Sequence, residues 1–105
     1  MNSPSVKPGS RHAWTFFSNH GHVLVAIAKD PAARVRDLAD AVGITERAVL
    51  QILVDLETAG VIERRREGRR TNYAVSMDVP LRHPLEQHRT VGDIVGLVRE
   101  DAPGR

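Results

Sequence analysis

The sequence predicts a mainly α-helical fold with a small antiparallel β-hairpin, on three observations. Two short amphipathic stretches flank Gly43 and Ile44, the pattern of a helix, a tight turn and a second helix. Two strand-like stretches follow, with Gly68 between them, as in a hairpin. An apolar stripe near the C-terminus predicts a final short helix.

The first helix is expected to end before Asp30 and Pro31. Its apolar positions recur at helical spacing: Val23, Leu24, Ile27 and Ala28. Ser18 or Asn19 is the expected N-cap, and Thr15 is an earlier alternative start.

The centre of the chain predicts a helix-turn-helix. A short helix is expected over Asp37 to Val42, and Gly43 suits the left-handed backbone geometry that ends a helix. Thr45 is the expected N-cap of a second helix running from about Glu46 to Ala59. The inward positions of this second helix share helical spacing: Val49, Ile52, Leu53 and Leu56.

An arginine-rich hairpin is expected to follow, starting at Val61 and returning from Thr71 to Val75. Because an isolated hairpin is marginally stable in water, it must pack on the helices, and Ile62 and Tyr73 are the expected contacts. Arg34 and Val35, in the link before the short helix, are expected to add one rung of strand to it.

The last helix, of about nine residues, is expected to begin after Thr90 as its cap. Its apolar face comprises Val91, Ile94, Val95 and Val98. Such a short helix is unstable alone, so this face must be covered either by the first helix or by the same element of a second chain. Trp14 and Phe17 leave the same two alternatives open, core or dimer surface.

These elements predict three segments. Residues 1–13 are expected to be a disordered arm, residues 14–80 the helix-turn-helix domain, and residues 81–105 a C-terminal segment with a short dimerisation helix. A chain of 105 residues with 41% apolar content can build one modest core.

Composition excludes several classes of function. The absence of cysteine excludes disulfides and thiolate chemistry, and no apolar run is long enough to span a bilayer, so a cytoplasmic protein is expected with no membrane partner. We find no pattern of catalytic residues and no indicated cofactor. Among the five histidines, His83 and His88 leave a cross-dimer metal site as an alternative to surface histidines, and no metal ligand is assigned.

The string from Val35 to Val49, the segment from Asp55 to Arg64 and the Gly68 to Tyr73 segment together resemble bacterial winged helix-turn-helix transcriptional regulators of the ArsR/MarR-like type. The resemblance implies a three-helix core plus a wing and a C-terminal helix. It also implies a homodimer that binds double-stranded DNA at a pseudo-palindromic site, regulating transcription as a repressor. A small-molecule effector is compatible with the resemblance but is not indicated by the residues.

In such a fold the second helix enters the major groove. The expected base contacts are in its N-terminal half: Thr45, Glu46, Arg47, Leu50 and Gln51. The expected phosphate or minor-groove contacts are in the wing: Arg66, Arg69 and Arg70. The alternative for Glu46 is a purely structural role at the helix start, and for the others a solvated charged or polar surface.

The expected dimer contacts are Trp14, Phe17, Val91, Ile94, Val95 and Val98. Two other functions remain open on the sequence. One is a winged-helix module that binds a protein and no DNA, because Leu50 and Val54 place apolar groups on the outward face of the second helix. The other is a sensor with a ligand pocket at the dimer interface.

Overall fold

The computed structural model describes residues 14–99 of the chain. Its elements are, in order, α1 (Asn19–Lys29), α2 (Val35–Val42), α3 (Glu46–Thr58), β1 (Ile62–Glu67), β2 (Arg70–Val75) and α4 (Val91–Val98). The predicted fold class, mainly α with one antiparallel hairpin, is confirmed. The predicted disordered arm, residues 1–13, lies outside the described residues.

The helix boundaries follow from local capping. Ser18 caps α1 by accepting a hydrogen bond from the Gly21 N–H at 3.4 Å, which decides between the alternatives left open by the sequence. Thr45 caps α3, because its Oγ1 accepts from the Ala48 N–H at 3.0 Å. Gly43 ends α2 with a φ of 87°, the left-handed geometry that glycine adopts without a steric cost.

The expected strand at Arg34 and Val35 is wrong. Arg34 is the extended N-cap of α2, and its backbone N–H donates to Asp37 Oδ2 at 3.2 Å, so the helix starts two residues earlier than predicted. The hairpin does bond to the link, but nearer α1: the Tyr73 N–H donates to the Pro31 carbonyl at 3.0 Å.

The core lies where α1, α2, α3, the base of the hairpin and α4 meet. Its buried side chains are Val23, Leu24, Ile27, Leu38, Ala39, Val49, Ile52, Leu53, Leu56, Val61, Ile62, Val91 and Val95. The helical periodicities of the sequence therefore marked the inward faces correctly.

The hairpin forms a two-stranded antiparallel sheet in which Ile62 pairs with Val75 and Arg64 with Tyr73. Its base is attached to α3, because the Val61 N–H donates to the Leu56 carbonyl at 2.9 Å. Ile62 is buried and Tyr73 packs partly buried against the core, which confirms both predicted contacts.

Helix α4 packs on α1 of the same chain. Its expected cap is confirmed, since Thr90 Oγ1 accepts from the Asp93 N–H at 3.3 Å. Val91 and Val95 are buried in this contact, so the chain itself covers the inner face of α4. The expectation that these two side chains contact a second chain is corrected for this reason. Within residues 14–99, no helix is long and apolar enough to cross a membrane.

Candidate nucleic-acid interface

The outward face of α3 is a mixed polar and apolar surface. Helical spacing places Arg47, Leu50, Gln51 and Val54 on one side, and Leu50 and Val54 are 52% and 51% exposed. This face therefore combines hydrogen-bonding groups with apolar groups, and both kinds of group can contact base edges in a major groove.

A cleft of about 620 Å³ separates α3 from the hairpin. Its lining residues come from the link, α3 and the hairpin: Ala32, Ala33, Arg34, Val35, Leu50, Leu53, Val54, Arg64, Arg69, Arg70, Thr71 and Tyr73. The hairpin thus stands beside the outward face of α3 as a wing with arginines on the facing side.

The arginines of the wing divide into paired and free groups. Arg64 Nη2 donates to Glu57 Oε1 at 3.0 Å, and Arg65 Nη2 donates to Glu63 Oε1 at 3.3 Å. Among the described residues, Arg66, Arg69 and Arg70 make no side-chain hydrogen bond or ion pair. Their charge is therefore uncompensated by contacts within residues 14–99 and available to an anion.

The Glu57–Arg64 pair attaches the wing to α3. Hydrogen bonding and the charge of Glu57 raise the pKa of Arg64. Tyr73, opposite Arg64 in the sheet, has its pKa raised because burial disfavours the phenolate, although the nearby Arg64 charge acts in the other direction. Arg64 therefore attaches the wing to α3, whereas Arg66, Arg69 and Arg70 have no side-chain partner within residues 14–99.

The N-terminal end of α3 carries the other predicted contacts. Arg47 is exposed and makes no side-chain interaction within the described part of the chain. Thr45 uses its hydroxyl oxygen as a cap, so its structural role is observed directly. Glu46 is exposed in the first turn, where the helix dipole favours a carboxylate.

Gln51, another predicted base-reading residue, has a side-chain partner on the same helix. Its Nε2 donates to Asp55 Oδ1 at 3.2 Å, and Asp55 Oδ2 lies 2.8 Å from His20 Nε2 of α1. The hydrogen bond from His20, followed by that from Gln51, holds the pKa of Asp55 below its usual value, so the carboxyl is ionised at neutral pH.

Sequence reasoning did not identify His20 or Asp55 as part of this site. The spacing of four residues between Gln51 and Asp55 was a usable signal, since such pairs are neighbours on a helix surface. No pattern in the sequence predicts the contact of Asp55 with His20, because the two residues lie 35 positions apart on different helices.

The remaining predicted dimer contacts are on the surface or half-buried. Trp14 is 70% exposed and packs edge-to-face on Phe16 with ring centroids 4.9 Å apart. Phe17 is half-buried beside the His22 ring. On α4, Ile94 and Val98 are half-buried. None of these residues belongs to the α3–wing face.

The histidines do not gather into a metal centre within residues 14–99, where no three potential ligands among His, Asp and Glu come together. His20 contacts Asp55, whereas His22 contacts the Thr15 hydroxyl at 3.1 Å. His83 Nδ1 lies 3.0 Å from the Leu85 backbone nitrogen and accepts its hydrogen.

Comparison with known proteins places this geometry in a family. A family model described as HVO_A0114 matches residues 19–79, more than half of the chain, from the start of α1 to just beyond the wing. The chain belongs to the HVO_A0114 family. The matched range contains the whole α3–wing face of this HVO_A0114-family protein, and α4 lies beyond it.

One solved structure bears on the fold. The structure of MepR, a transcription regulator of the Staphylococcus aureus multidrug efflux pump MepA, superposes with a TM-score of 0.50 at 26% identity, covering 56% of this chain and 46% of MepR. The predicted winged helix-turn-helix fold is thereby confirmed, with similarity to a winged-helix transcription regulator.

A curated relative, riboflavin kinase from Thermococcus kodakarensis, is 46% identical over 46 residues, which are 44% of this chain and 22% of the enzyme. The chain therefore spans about a fifth of the length of that enzyme and less than half of MepR. The similarity to the kinase is local and does not carry its reaction to this chain.

Proposed function

We propose that this HVO_A0114-family protein binds double-stranded DNA sequence-specifically and regulates transcription. The observation that carries the proposal is a set of arginines without a side-chain partner within residues 14–99: Arg47 on α3, and Arg66, Arg69 and Arg70 in the wing. Arg69 and Arg70 line the same cleft as exposed Leu50, and DNA phosphates are the ligand that such unpaired positive charge fits.

In this proposal α3 enters the major groove and the wing contacts the backbone or the minor groove. Arg47 can bond guanine O6 and N7, Gln51 can pair with adenine, and Leu50 can contact a thymine methyl. Arg66, Arg69 and Arg70 supply contacts to phosphates that do not depend on sequence. The similarity to MepR, a transcription regulator, supports this assignment.

The proposal includes a homodimer that occludes a promoter as a bacterial-type repressor, as the ArsR/MarR-like resemblance implies. The dimer contact is placed on α4 with half-buried Ile94 and Val98, and on Trp14 and Phe17. Exposed Leu97 extends this surface, since it is 77% exposed on α4. Val91 and Val95 are left out because they face the core.

The salt dependence of DNA binding tests the wing. Replacing both Arg69 and Arg70 by alanine is expected to weaken binding to all duplexes, because two phosphate contacts are lost. The slope of log K against log salt is expected to become less steep by about 2 for each subunit, and so by about 4 for the dimer, at about 0.9 per lost contact. Fluorescence anisotropy at several salt concentrations measures both quantities.

The control for that experiment replaces Arg65 and Arg89 by alanine. This variant removes the same charge, but the two side chains face Glu63 at 3.3 Å and Asp93 at 3.9 Å. We expect a smaller change in slope than for the tip variant. Equal slopes for the two variants would show that net charge, and not the wing tip, determines binding.

Selection of bound duplexes from fragmented genomic DNA tests sequence specificity. The proposal predicts a two-fold symmetric motif with half-sites about one helical turn apart. Recovery of unrelated fragments would reduce the function to non-specific binding. Recovery of no DNA would favour a protein-interaction module, for which exposed Leu50 and Val54 are the observed apolar contacts.

A further inference from the structure

We infer that Asp55 and His20 are positioning residues that fix the side-chain amide of Gln51 for reading an A·T base pair. The inference rests on the proposed function, since it assigns which groups prepare the base-reading side chain. The observation behind it is a chain of contacts from α1 to the outward face of α3: His20 to Asp55, and Asp55 to Gln51.

The chemistry of a carboxylate fixes the orientation of the amide. Ionised Asp55 only accepts hydrogen bonds, so the group of Gln51 that faces Asp55 Oδ1 at 3.2 Å must be the amide nitrogen and not the carbonyl oxygen. One of the two Nε2 hydrogens is used in this contact. In the inferred arrangement Asp55 takes the hydrogen trans to the carbonyl oxygen, which leaves the oxygen and the hydrogen cis to it on one edge of the amide.

That remaining pair has the pattern of one base. Adenine presents N7 as an acceptor and its N6 amino group as a donor in the major groove, which an amide donor and acceptor match together. If the amide were free to rotate, the reversed orientation would be sampled as well, and ordering it would reduce affinity. The contact with Asp55 removes this freedom before DNA arrives.

His20 holds Asp55 in turn. Its Nε2 lies 2.8 Å from Asp55 Oδ2 and must donate to it, because the carboxylate has no hydrogen to offer. Each oxygen of Asp55 therefore accepts one hydrogen bond within the chain. In this inference Asp55 orients the Gln51 amide and does not itself contact a base. Since both side chains remain about half exposed, the pair acts through geometry and not as a buried charge.

The first test uses the 105-residue chain without DNA and NMR of its side-chain amides. The chain has two glutamines, Gln51 and Gln87, so Gln51→Ala identifies the signals and Gln87 is an internal reference. Asp55→Ala is expected to shift the Gln51 amide protons and to speed exchange of one of them several-fold. Unchanged Gln51 signals would overturn the inference, whatever the protein does with DNA.

The second test measures discrimination at one base pair. Gln51→Ala first identifies the position in the selected motif where preference is lost. A bidentate contact makes the affinity for the correct base pair about five to a hundred times that for a wrong one. Asp55→Ala is expected to reduce this affinity ratio by about five- to tenfold. The double variant is expected to lose no more than Gln51→Ala alone, because both act through one amide.

Three further variants separate positioning from charge and from folding. His20→Ala is expected to reduce discrimination in the same direction, and His20→Gln to restore it, since a glutamine Nε2 still donates. Asp78→Ala changes the net charge as Asp55→Ala does, at an exposed turn after β2, and is expected to leave discrimination unchanged.

Equal weakening of all duplexes by Asp55→Ala would show that Asp55 supports folding or charge only, and the inference would fail while DNA binding stood. A wild-type protein that enriches no motif would instead overturn the proposed function, and the base-reading role with it. Loss of discrimination confined to the Gln51 position, with the NMR shift, supports the inference.

Discussion

At the scale of the residue, the wing shows that side chains of one type have different roles set by their neighbours. Arg64 is engaged by Glu57 and attaches the wing, whereas Arg69 and Arg70 meet no partner within residues 14–99. Tyr73 stands opposite Arg64 and is partly buried between the wing and the core. The burial of one phenol group therefore reports on how firmly the wing is attached.

Tyr73 predicts a loss of stability in alkali. Its pKa in the folded protein is raised above the ordinary value of 10.0, so the folded state keeps a proton that the unfolded state releases first. This contribution is present below pH 10.0 and is lost as pH rises towards the raised value. Urea unfolding across this range measures it, with Tyr73→Phe as the reference that lacks the titration.

The same prediction has a direct optical readout. Tyr73 is the single tyrosine of the sequence, so phenolate absorbance reports its titration without interference from other tyrosines. We expect a midpoint above that of the urea-unfolded chain. A midpoint equal in both states would mean that the Tyr73 ring is fully solvated and that the wing is detached from the core.

At the scale of the element, two glycines have opposite conformational roles. Gly60 ends the α3 region with a φ of 77° and directs the chain into β1, whereas Gly96 lies exposed within α4. A Cβ at either position meets no atom within 4 Å. Any difference between alanine substitutions at the two positions therefore comes from backbone conformation and not from collision.

Gly60→Ala is expected to lower the free energy of unfolding by about 1–2 kcal/mol, because a left-handed backbone is unfavourable for an L side chain. Gly96→Ala is expected to raise it by about 0.5–1 kcal/mol, because alanine loses less entropy in a helix. Urea unfolding of both variants measures the two changes. A stabilising Gly60→Ala would contradict the left-handed turn at the end of α3.

At the scale of the whole molecule, the chain covers the inner side of α4 itself and leaves its outer side exposed. Leu97 is 77% exposed there, and Trp14 is 70% exposed ahead of α1. The formal net charge of +2 is small, so binding to DNA is expected to depend on where the arginines lie and not on overall charge. The proposed dimer would present the arginines of two wings and two α3 faces to one duplex.

The proposed dimer predicts that Leu97→Glu raises the dimer dissociation constant about tenfold or more, because a charge would be buried in the contact. Sedimentation equilibrium measures this. Leu85→Glu is the matched control, since Leu85 is 76% exposed but lies outside α4. Dissociation by Leu85→Glu and not by Leu97→Glu would move the interface to the segment before α4.

The sequence by itself determined the order of the elements, their inward faces and most of their ends. Periodicity marked the core of α3, and Thr45, Gly43 and Thr90 set helix boundaries through hydrogen bonds to near neighbours. These features depend on contacts within a few residues, which is why a single sequence reveals them. The predicted base and phosphate contacts stay predictions, to be tested as described.

Only the tertiary structure decided which groups are free and which are engaged. It showed that α4 buries Val91 and Val95 in its own chain, that the link bonds to the wing through Pro31, and that His20 reaches Asp55 from another helix. Each depends on residues distant in sequence whose separation is fixed by how the helices pack. No local pattern encodes such a distance, because the same sequence spacing is compatible with many packings.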